Sequence, residues 1–369
     1  MIVVASCGHN CDDERIYYKQ INSLCNAGYK IKYYAYCYDS YLTDGYNDDI
    51  DYRFFSSSEI SQKQYKTLLF NTLNATPPKI FHIHDMELLS VAYKLKQKHP
   101  AIKIIYDVHE DLEAMWDTFS SYSGIIKKII NWMLSQYEKQ YLSCVDIFIL
   151  ANRLARKNKY IKYGAIHVLE NFPLLANTQK HKSIDKPTKL IYHGQLSDER
   201  GIQNLIVGFN ELSKTYPELE LTLLGSPRNA KFESKLNELI SNNKKIKYTG
   251  QIRHHEVWGY LKNAHIGIIP FHEISLCQYN TPTKLFEYMA SNCAIVSSDL
   301  LPIREFLNDT ITWTKPNDTE SLKQGVIHYL NNIDIYNIHI KKNNQLIQDS
   351  YNWEDHSKIL LSIYKELSH

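Results

Sequence analysis

The residues Thr281-Pro-Thr-Lys-Leu-Phe-Glu287 have the makings of a helix start that holds an anion. Thr281 suits an N-cap and Pro282 the first helical position, where a missing N–H costs nothing. The amides of the first turn, around Thr283 and Leu285, would then point outward with partial positive charge, and Lys284 would add a full one. Glu287, one turn on, would accept hydrogen bonds from vicinal hydroxyls. A phosphate at a helix tip with a diol beside it describes a nucleotide. Thr-Pro openings are common, however, and most bind nothing, so the segment needs support from elsewhere in the chain.

Other chemical candidates are weaker. Cys7, His9 and Cys11 lie close in sequence, but no second ligand pair at zinc spacing accompanies them. Asp49-Ile-Asp51 spells an Asp-x-Asp, yet it sits among Asp44 and Asp48 in a polar stretch and reads as a solvated charge cluster. Gly-x-Gly-x-x-Gly and the Walker phosphate loop are both absent, which removes the main support for dehydrogenase and P-loop readings.

The elements that must position these residues alternate. Ile2–Ala5, Lys30–Cys37, Lys79–His84, Lys103–Asp107 and Val145–Ala151 read as strands. Asp12–Ala27, closed by Gly28, and Met86–Lys98, stopped by Pro100, read as helices. After a Pro-containing polar stretch the alternation resumes with strands Leu190–Tyr192, Leu219–Leu224, Lys245–Thr249, Ile266–Pro270 and the run from Ala294. The helices between them are Ile202–Thr215, Asn229–Asn242 and Glu256–Asn263, and Glu320–Asn331 and Trp353–Leu367 close the chain. Such alternation predicts α/β architecture: two doubly wound Rossmann-like domains facing a cleft, with ligands beyond the carboxyl ends of the strands. The expected divisions are 1–170, a linker at 171–187, 188–350, and a terminal helix at 351–369 that returns toward the first domain.

Composition is that of an ordinary globular enzyme. The 369 residues are 44% hydrophobic and 22% charged, and the formal net charge of +2 offers no global field for nucleic acid. The 28 tyrosines accompany abundant Lys, Asn and Ile, as in the product of an AT-rich genome. Seven scattered cysteines show no paired framework, so a reducing, cytoplasmic setting is expected. No signal peptide or membrane span is read from the sequence. Residues 123–134, Ser-Gly-Ile-Ile-Lys-Lys-Ile-Ile-Asn-Trp-Met-Leu, combine apolar residues with Lys127, Lys128 and Trp132, a pattern suited to peripheral contact with the inner face of the cytoplasmic membrane.

In these motifs the chain resembles the family 4 glycosyltransferases, retaining enzymes of the GT-B fold. Pro282-x-Lys284-x-x-Glu287-Tyr-Met-Ala is similar to the most specific family motif, and Ile295-Val-Ser-Ser-Asp follows it in the family's order. Tyr192-His-Gly-Gln-Leu-Ser-Asp-Glu-Arg-Gly-Ile resembles the loop that opens the second domain, and Leu223-Leu-Gly-Ser and Tyr248-Thr-Gly-Gln-Ile the next two strand ends. Asp13-Glu-Arg-Ile, His82-Ile-His-Asp85, Tyr106-Asp-Val-His-Glu110, Asn171-Phe-Pro and Trp353-Glu agree with the remainder.

The resemblance implies roles. Arg200 and Lys284 would stabilise the diphosphate leaving group, Glu287 would hold the ribose, and backbone around Ile252 and Arg253 would meet the base. Gly8 would let a loop approach the diphosphate. Gly194, Asn280, Thr283 and Leu285 would complete the donor site. His109 would sit near the transferred sugar, with His84, Asp85 and Glu110 on the acceptor side. No metal and no cofactor are expected; the nucleotide sugar is a substrate. Two positions depart from the family pattern: Tyr279 stands where a sugar-gripping Glu is usual, and Gln195 where a first basic residue is usual. The implied function is transfer from a nucleoside diphosphate sugar, UDP favoured over GDP, to a glycan or lipid-linked acceptor in bacterial surface polysaccharide synthesis. A nucleotide-sugar epimerase, and a non-catalytic nucleotide-sugar-binding subunit, remain the alternatives.

Overall fold

The computed structural model describes residues 1–37, 50–109, 112–120, 122, 124–154, 157–179, 184–274, 277–278 and 280–368. The chain forms two compact units. The first is Met1–Asn171 together with Glu354–His369, and the second is Phe172–Trp353.

The first unit is built on β1 (Ile2–Cys7), β2 (Ile31–Cys37), β3 (Asp51–Ser56), β4 (Ile80–Ile83), β5 (Lys103–Val108), β6 (Ile147–Leu150) and β7 (Ala165–Val168). They form one seven-stranded sheet in the order β3-β2-β1-β4-β5-β6-β7, and the paired strands are parallel. Every residue of β1, β4 and β6 is buried, as a parallel sheet covered on both faces requires. The strand order reverses between β1 and β4, and this switch point opens a crevice beyond their carboxyl ends. The segment after β1 begins as a π-helix, Glu14–Ile21, whose N-cap Asp13 accepts from the amides of Arg15 and Ile16. From Glu354 onward the last helix, Trp353–Ser368, belongs to this unit, and the Tyr364 hydroxyl lies 2.8 Å from His82 Nδ1.

The cysteine spacing shows no pairing, but the structure bonds Cys11 to Cys37. Parallel pairing of β1 with β2 sets Cys7 opposite Tyr36, which brings the turn after β1 against the end of β2. Partners 26 residues apart are thereby adjacent in space.

The second unit holds β8 (Lys189–His193), β9 (Glu220–Leu224), β10 (Ile246–Tyr248), β11 (Ile266–Ile269), β12 (Ala294–Ser298) and β13 (Thr312–Thr314). Its six strands run β10-β9-β8-β11-β12-β13, again parallel, with the switch point between β8 and β11. Its core continues from the strands into Leu205, Phe209, Leu285 and Tyr288. Phe172 is buried in this core with its ring 4.7 Å from that of Phe286. The unit's two ends meet: the Trp353 N–H donates to the Pro173 carbonyl at 2.9 Å.

Candidate functional site

In the second unit, the loops beyond β8 and β11 gather the charged candidates. Gly194 follows β8 with φ 111°, a conformation glycine adopts without strain. A Cβ there would lie 3.4 Å from Lys284 Nζ, so the position also leaves room for the ammonium. Lys284 Nζ stands 4.6 Å from the centre of the Phe271 ring and 5.1 Å from that of Tyr192. The Arg200 guanidinium lies 4.4 Å from the same Phe271 ring. Two cations therefore lie near one aromatic ring, an arrangement that favours cations when they are desolvated. Among the described residues neither has a carboxylate at ion-pair distance. Burial, and then the like charge of Arg200, push the Lys284 pKa down to about 7. An anion placed between the two would relieve both effects.

Glu287, 3% exposed, lies one helical turn from Lys284. His193 Nε2 is 3.1 Å from its Oε2, and His254 Nε2 is 2.9 Å from its Oε1. Burial works against the carboxylate charge, but His193 and His254 together hold the group well below the usual carboxylate range. Glu287 is thus an ionised acceptor, fixed from the end of β8 and from the start of the His254–Leu261 helix.

The helix start differs from expectation. The helix is Lys284–Ala290, with Thr283 rather than Thr281 as its N-cap. Pro282 lies outside it, and the Pro282 carbonyl accepts from the Leu285 amide at 3.0 Å. Phe286 and Glu287 donate to the Thr283 carbonyl. The amides of the first turn are mostly bonded within the segment, and the Leu285 side chain is fully buried in the core. Leu285 therefore presents no donor to a ligand, and the positive character of this site comes from the two side chains. The other donor-side candidates are dispersed around the same strand ends. The Gln195 carbonyl accepts from the Tyr192 hydroxyl at 2.9 Å. Ile252 packs against the core, and Arg253 is the N-cap residue of the His254–Leu261 helix, its N–H bonded to Glu256. Asn280 is half-buried in the approach to Thr283. Tyr279 lies outside the described residues, as do Asp44, Asp48 and Asp49 of the acidic stretch.

In the first unit, a histidine cluster sits beyond β1, β4 and β5. The register pairs Ile83 with Tyr106, which sets His84 beside Asp107. Arg15 grips both oxygens of Asp107, at 3.2 and 3.0 Å, and donates to the Leu169 carbonyl at 2.7 Å. Gln20 donates to the same carboxylate. Burial opposes the Asp107 charge, but Arg15 keeps its pKa lowered. His84 Nδ1 is 3.0 Å from His109 Nε2. Burial drives His109 down to about 4 and His84 well below its ordinary value, so both rings are neutral at neutral pH. His9 behaves in the opposite way. Burial would lower its pKa, but Asp13 and Asp85 raise it to about 11. Its Nε2 is 3.2 Å from Asp85, and its ring centre is 4.5 Å from that of His109. The Asp85 carboxylate also accepts from the Cys7 amide at 2.6 Å. Gly8, with φ 134°, donates its N–H to the Tyr36 carbonyl. Glu110 lies outside the described residues.

His82, His84 and Asp107 bring one ligand atom each within 4.8 Å of one another. A cation there would face the Arg15 guanidinium, which already occupies both oxygens of Asp107.

Residues 175–353 match the family described as Glycosyl transferases group 1. The match lies within the second unit. The matched residues run to Trp353, the last residue of that unit. A curated relative, the uncharacterized glycosyltransferase MJ1069 of Methanocaldococcus jannaschii, is 25% identical over 252 residues. That alignment takes in 67% of this chain and 62% of the relative. Among solved structures, sucrose-phosphate synthase from Thermosynechococcus elongatus superposes with a TM-score of 0.74 at 16% identity, over 100% of this chain and 99% of that one. Anabaena Alr3699/HepE in complex with UDP and glucose gives 0.73 at 10% identity, over 99% and 100%. The E. coli trehalose-6-phosphate structure bound with UDP-2-fluoro glucose gives 0.68 at 9% identity, over 97% and 98%. At these identities the likeness is one of fold, and the fold is of the GT-B type.

Several residues of the candidate site escape a reading of motifs. His193 and His254 are separated in sequence from the Glu287 they hold. His193 had one signal, its place directly before Gly194 at a strand end. Phe271, which underlies both cations, had none. In the first unit Arg15 lies 92 residues from Asp107, and only the fold joins them.

Proposed function

We propose that the chain is a retaining glycosyltransferase that takes a nucleoside diphosphate sugar, with UDP favoured over GDP. One observation carries this reading. Arg200 and Lys284 both lie near the Phe271 ring with no carboxylate at ion-pair distance among the described residues, and Lys284 is one helical turn from the ionised Glu287. That is a place for a diphosphate with a ribose diol beside it. The solved structures named for UDP and UDP sugars support the choice of base. Residues 175–353 support transfer as the reaction.

In the proposed step the bond between the sugar's anomeric carbon and the diphosphate oxygen breaks. An acceptor hydroxyl oxygen forms the new bond on the same face, and its proton passes to the departing phosphate. Arg200 and Lys284 stabilise the charge that develops on the leaving group. No enzyme nucleophile and no metal are required. His109, His84 and Asp85 remain the proposed residues nearest the sugar and acceptor, and the product belongs to a bacterial surface polysaccharide made on the cytoplasmic side.

A thermal-shift panel of nucleotide sugars tests the donor site. A ligand specific to the folded state raises apparent stability by about 2.7 kcal/mol at a hundredfold excess over its Kd. A UDP or GDP sugar is expected to shift the wild type, and Arg200→Ala and Glu287→Ala to lose most of that shift. If no nucleotide shifts the wild type, the reading is wrong.

A further inference from the structure

The Gly124–Tyr141 helix of the first unit exposes a large apolar face. Ile125 is 76% exposed, Trp132 63%, Met133 56%, Ile126 55% and Ile129 51%. At 3.6 residues per turn these five positions fall within an arc of about 120°. Isolated exposed apolar residues need no explanation, but a contiguous face of five does. Tyr122, just before the helix, is also half exposed.

The charges on this helix are sorted. Lys128 and Lys139 are exposed along one edge of the apolar arc. The helix's one carboxylate, Glu138, is 1% exposed and is held inside by Lys159 and the Tyr160 hydroxyl. Lys127 turns away from the face to pair with Asp117 at 3.1 Å. The exposed surface therefore offers isoleucine, tryptophan, methionine, glutamine and lysine, and no anion.

We propose that this face docks flat on an anionic lipid bilayer. Its apolar side would enter the boundary between headgroups and acyl chains, with Trp132 at the interface and Lys128 and Lys139 against lipid phosphates. Cations beside an apolar arc, with no exposed carboxylate on the helix, complement such a surface. A second copy of the chain suits the face less well, because an interface between copies would gather the exposed lysines of both with no carboxylate of this helix to meet them. The helix is interfacial rather than spanning: among the described residues no helix is long and apolar enough to cross a membrane. The proposal deepens the lipid-linked acceptor named above, but it does not depend on the donor site, so the two can fail separately.

The test is flotation of the full chain with vesicles of phosphatidylcholine alone or with roughly 30% phosphatidylglycerol. Wild type is expected to float with the anionic vesicles and to release as salt rises from about 0.1 M to about 0.5 M. Ile129→Asp/Trp132→Ser and Lys128→Glu/Lys139→Glu should each lower the bound fraction about tenfold, while Trp132→Phe retains binding. These positions are exposed, so the variants should keep the wild-type melting temperature and nucleotide shift. Wild-type Trp132 emission should move to the blue on binding, a change that Trp132→Phe removes and that needs no destabilising variant. Wild type left unbound by anionic vesicles would overturn the proposal. So would flotation of Ile129→Asp/Trp132→Ser equal to wild type, or a dimer in sedimentation that Ile129→Asp dissolves.

Discussion

His254 Nε2 stands 2.9 Å from one oxygen of Glu287, in a contact that joins the first turn of one helix to the first turn of another. With His193 on the other oxygen, the carboxylate is fixed before any ligand arrives. Glu287→Ala leaves two imidazoles without their anion and should cost about 2–4 kcal/mol in urea unfolding without nucleotide. His254 is partly exposed, so His254→Ala should cost less than about 1 kcal/mol while weakening nucleotide binding. If His254→Ala leaves nucleotide affinity at the wild-type value, the contact does not position Glu287.

In the proposed donor site Lys284 should make anion affinity depend on pH. Its pKa lies near 7 without ligand, so the side chain loses its charge as pH rises above that value. In the proposed site a diphosphate binds the charged form. Affinity for a nucleotide sugar, whose diphosphate does not titrate in this range, should therefore fall by up to about tenfold per unit between pH 7 and pH 9. Lys284→Arg stays charged and should flatten the profile. Calorimetric titration at several pH values measures this, and a flat wild-type profile would contradict it.

Acid should loosen the first unit. Burial lowers the pKa of His82 to about 4 and that of His109 to about 4. Above the ordinary histidine value near 6.5 both rings are neutral, folded or unfolded. As pH falls from about 6.5 toward 4, the unfolded chain binds protons that the folded chain refuses, so stability falls across that window. Each ring contributes on the order of 3 kcal/mol. Because His82 meets Tyr364, hydrogen exchange in Glu354–Ser368 should accelerate over the same range. Unchanged protection there down to pH 4.5 would count against the buried, neutral His82.

Gly201 sets the loop that carries Arg200. Its φ is 68°, and a Cβ there would lie 1.8 Å from the Pro270 carbonyl oxygen. Gly201→Ala should cost about 2–4 kcal/mol through backbone strain and displacement of the Pro270 segment. Arg200 and Phe271 flank that contact, so nucleotide binding should weaken as well. A Gly201→Ala protein that melts with wild type would show that the loop can relax.

Much of this fold is legible in the chain, for a definite reason. β1, β4 and β6 are buried along their whole length, so each appears as an apolar run closed by turn or polar residues. β3, β7 and β13 escape notice because they lie at sheet edges and keep most of their side chains at least partly in contact with water. Their composition does not separate them from loops. In the site, Arg200, Lys284 and Glu287 are visible because local spacing holds them. His193 and His254 act only through tertiary contact, and a motif has no way to show which distant imidazole meets a carboxylate. The start of the Lys284 helix shows another limit. Thr281-Pro282 fits an N-terminus, yet the Pro282 carbonyl engages the Leu285 amide and the helix opens later.

The hydrogen bond from Trp353 to Pro173 makes the second unit an insertion with a single doorway. Its chain enters at Phe172 and leaves at Trp353, and entry and exit are adjacent. A cut at either boundary alone would strip the last helix from the first unit. Removing 172–353 as one piece and joining Asn171 to Glu354 through a short linker preserves every strand of the first sheet and the Tyr364–His82 contact. The proposed anion site can thus be isolated from the histidine cluster by one excision, and each half can be offered its own ligands.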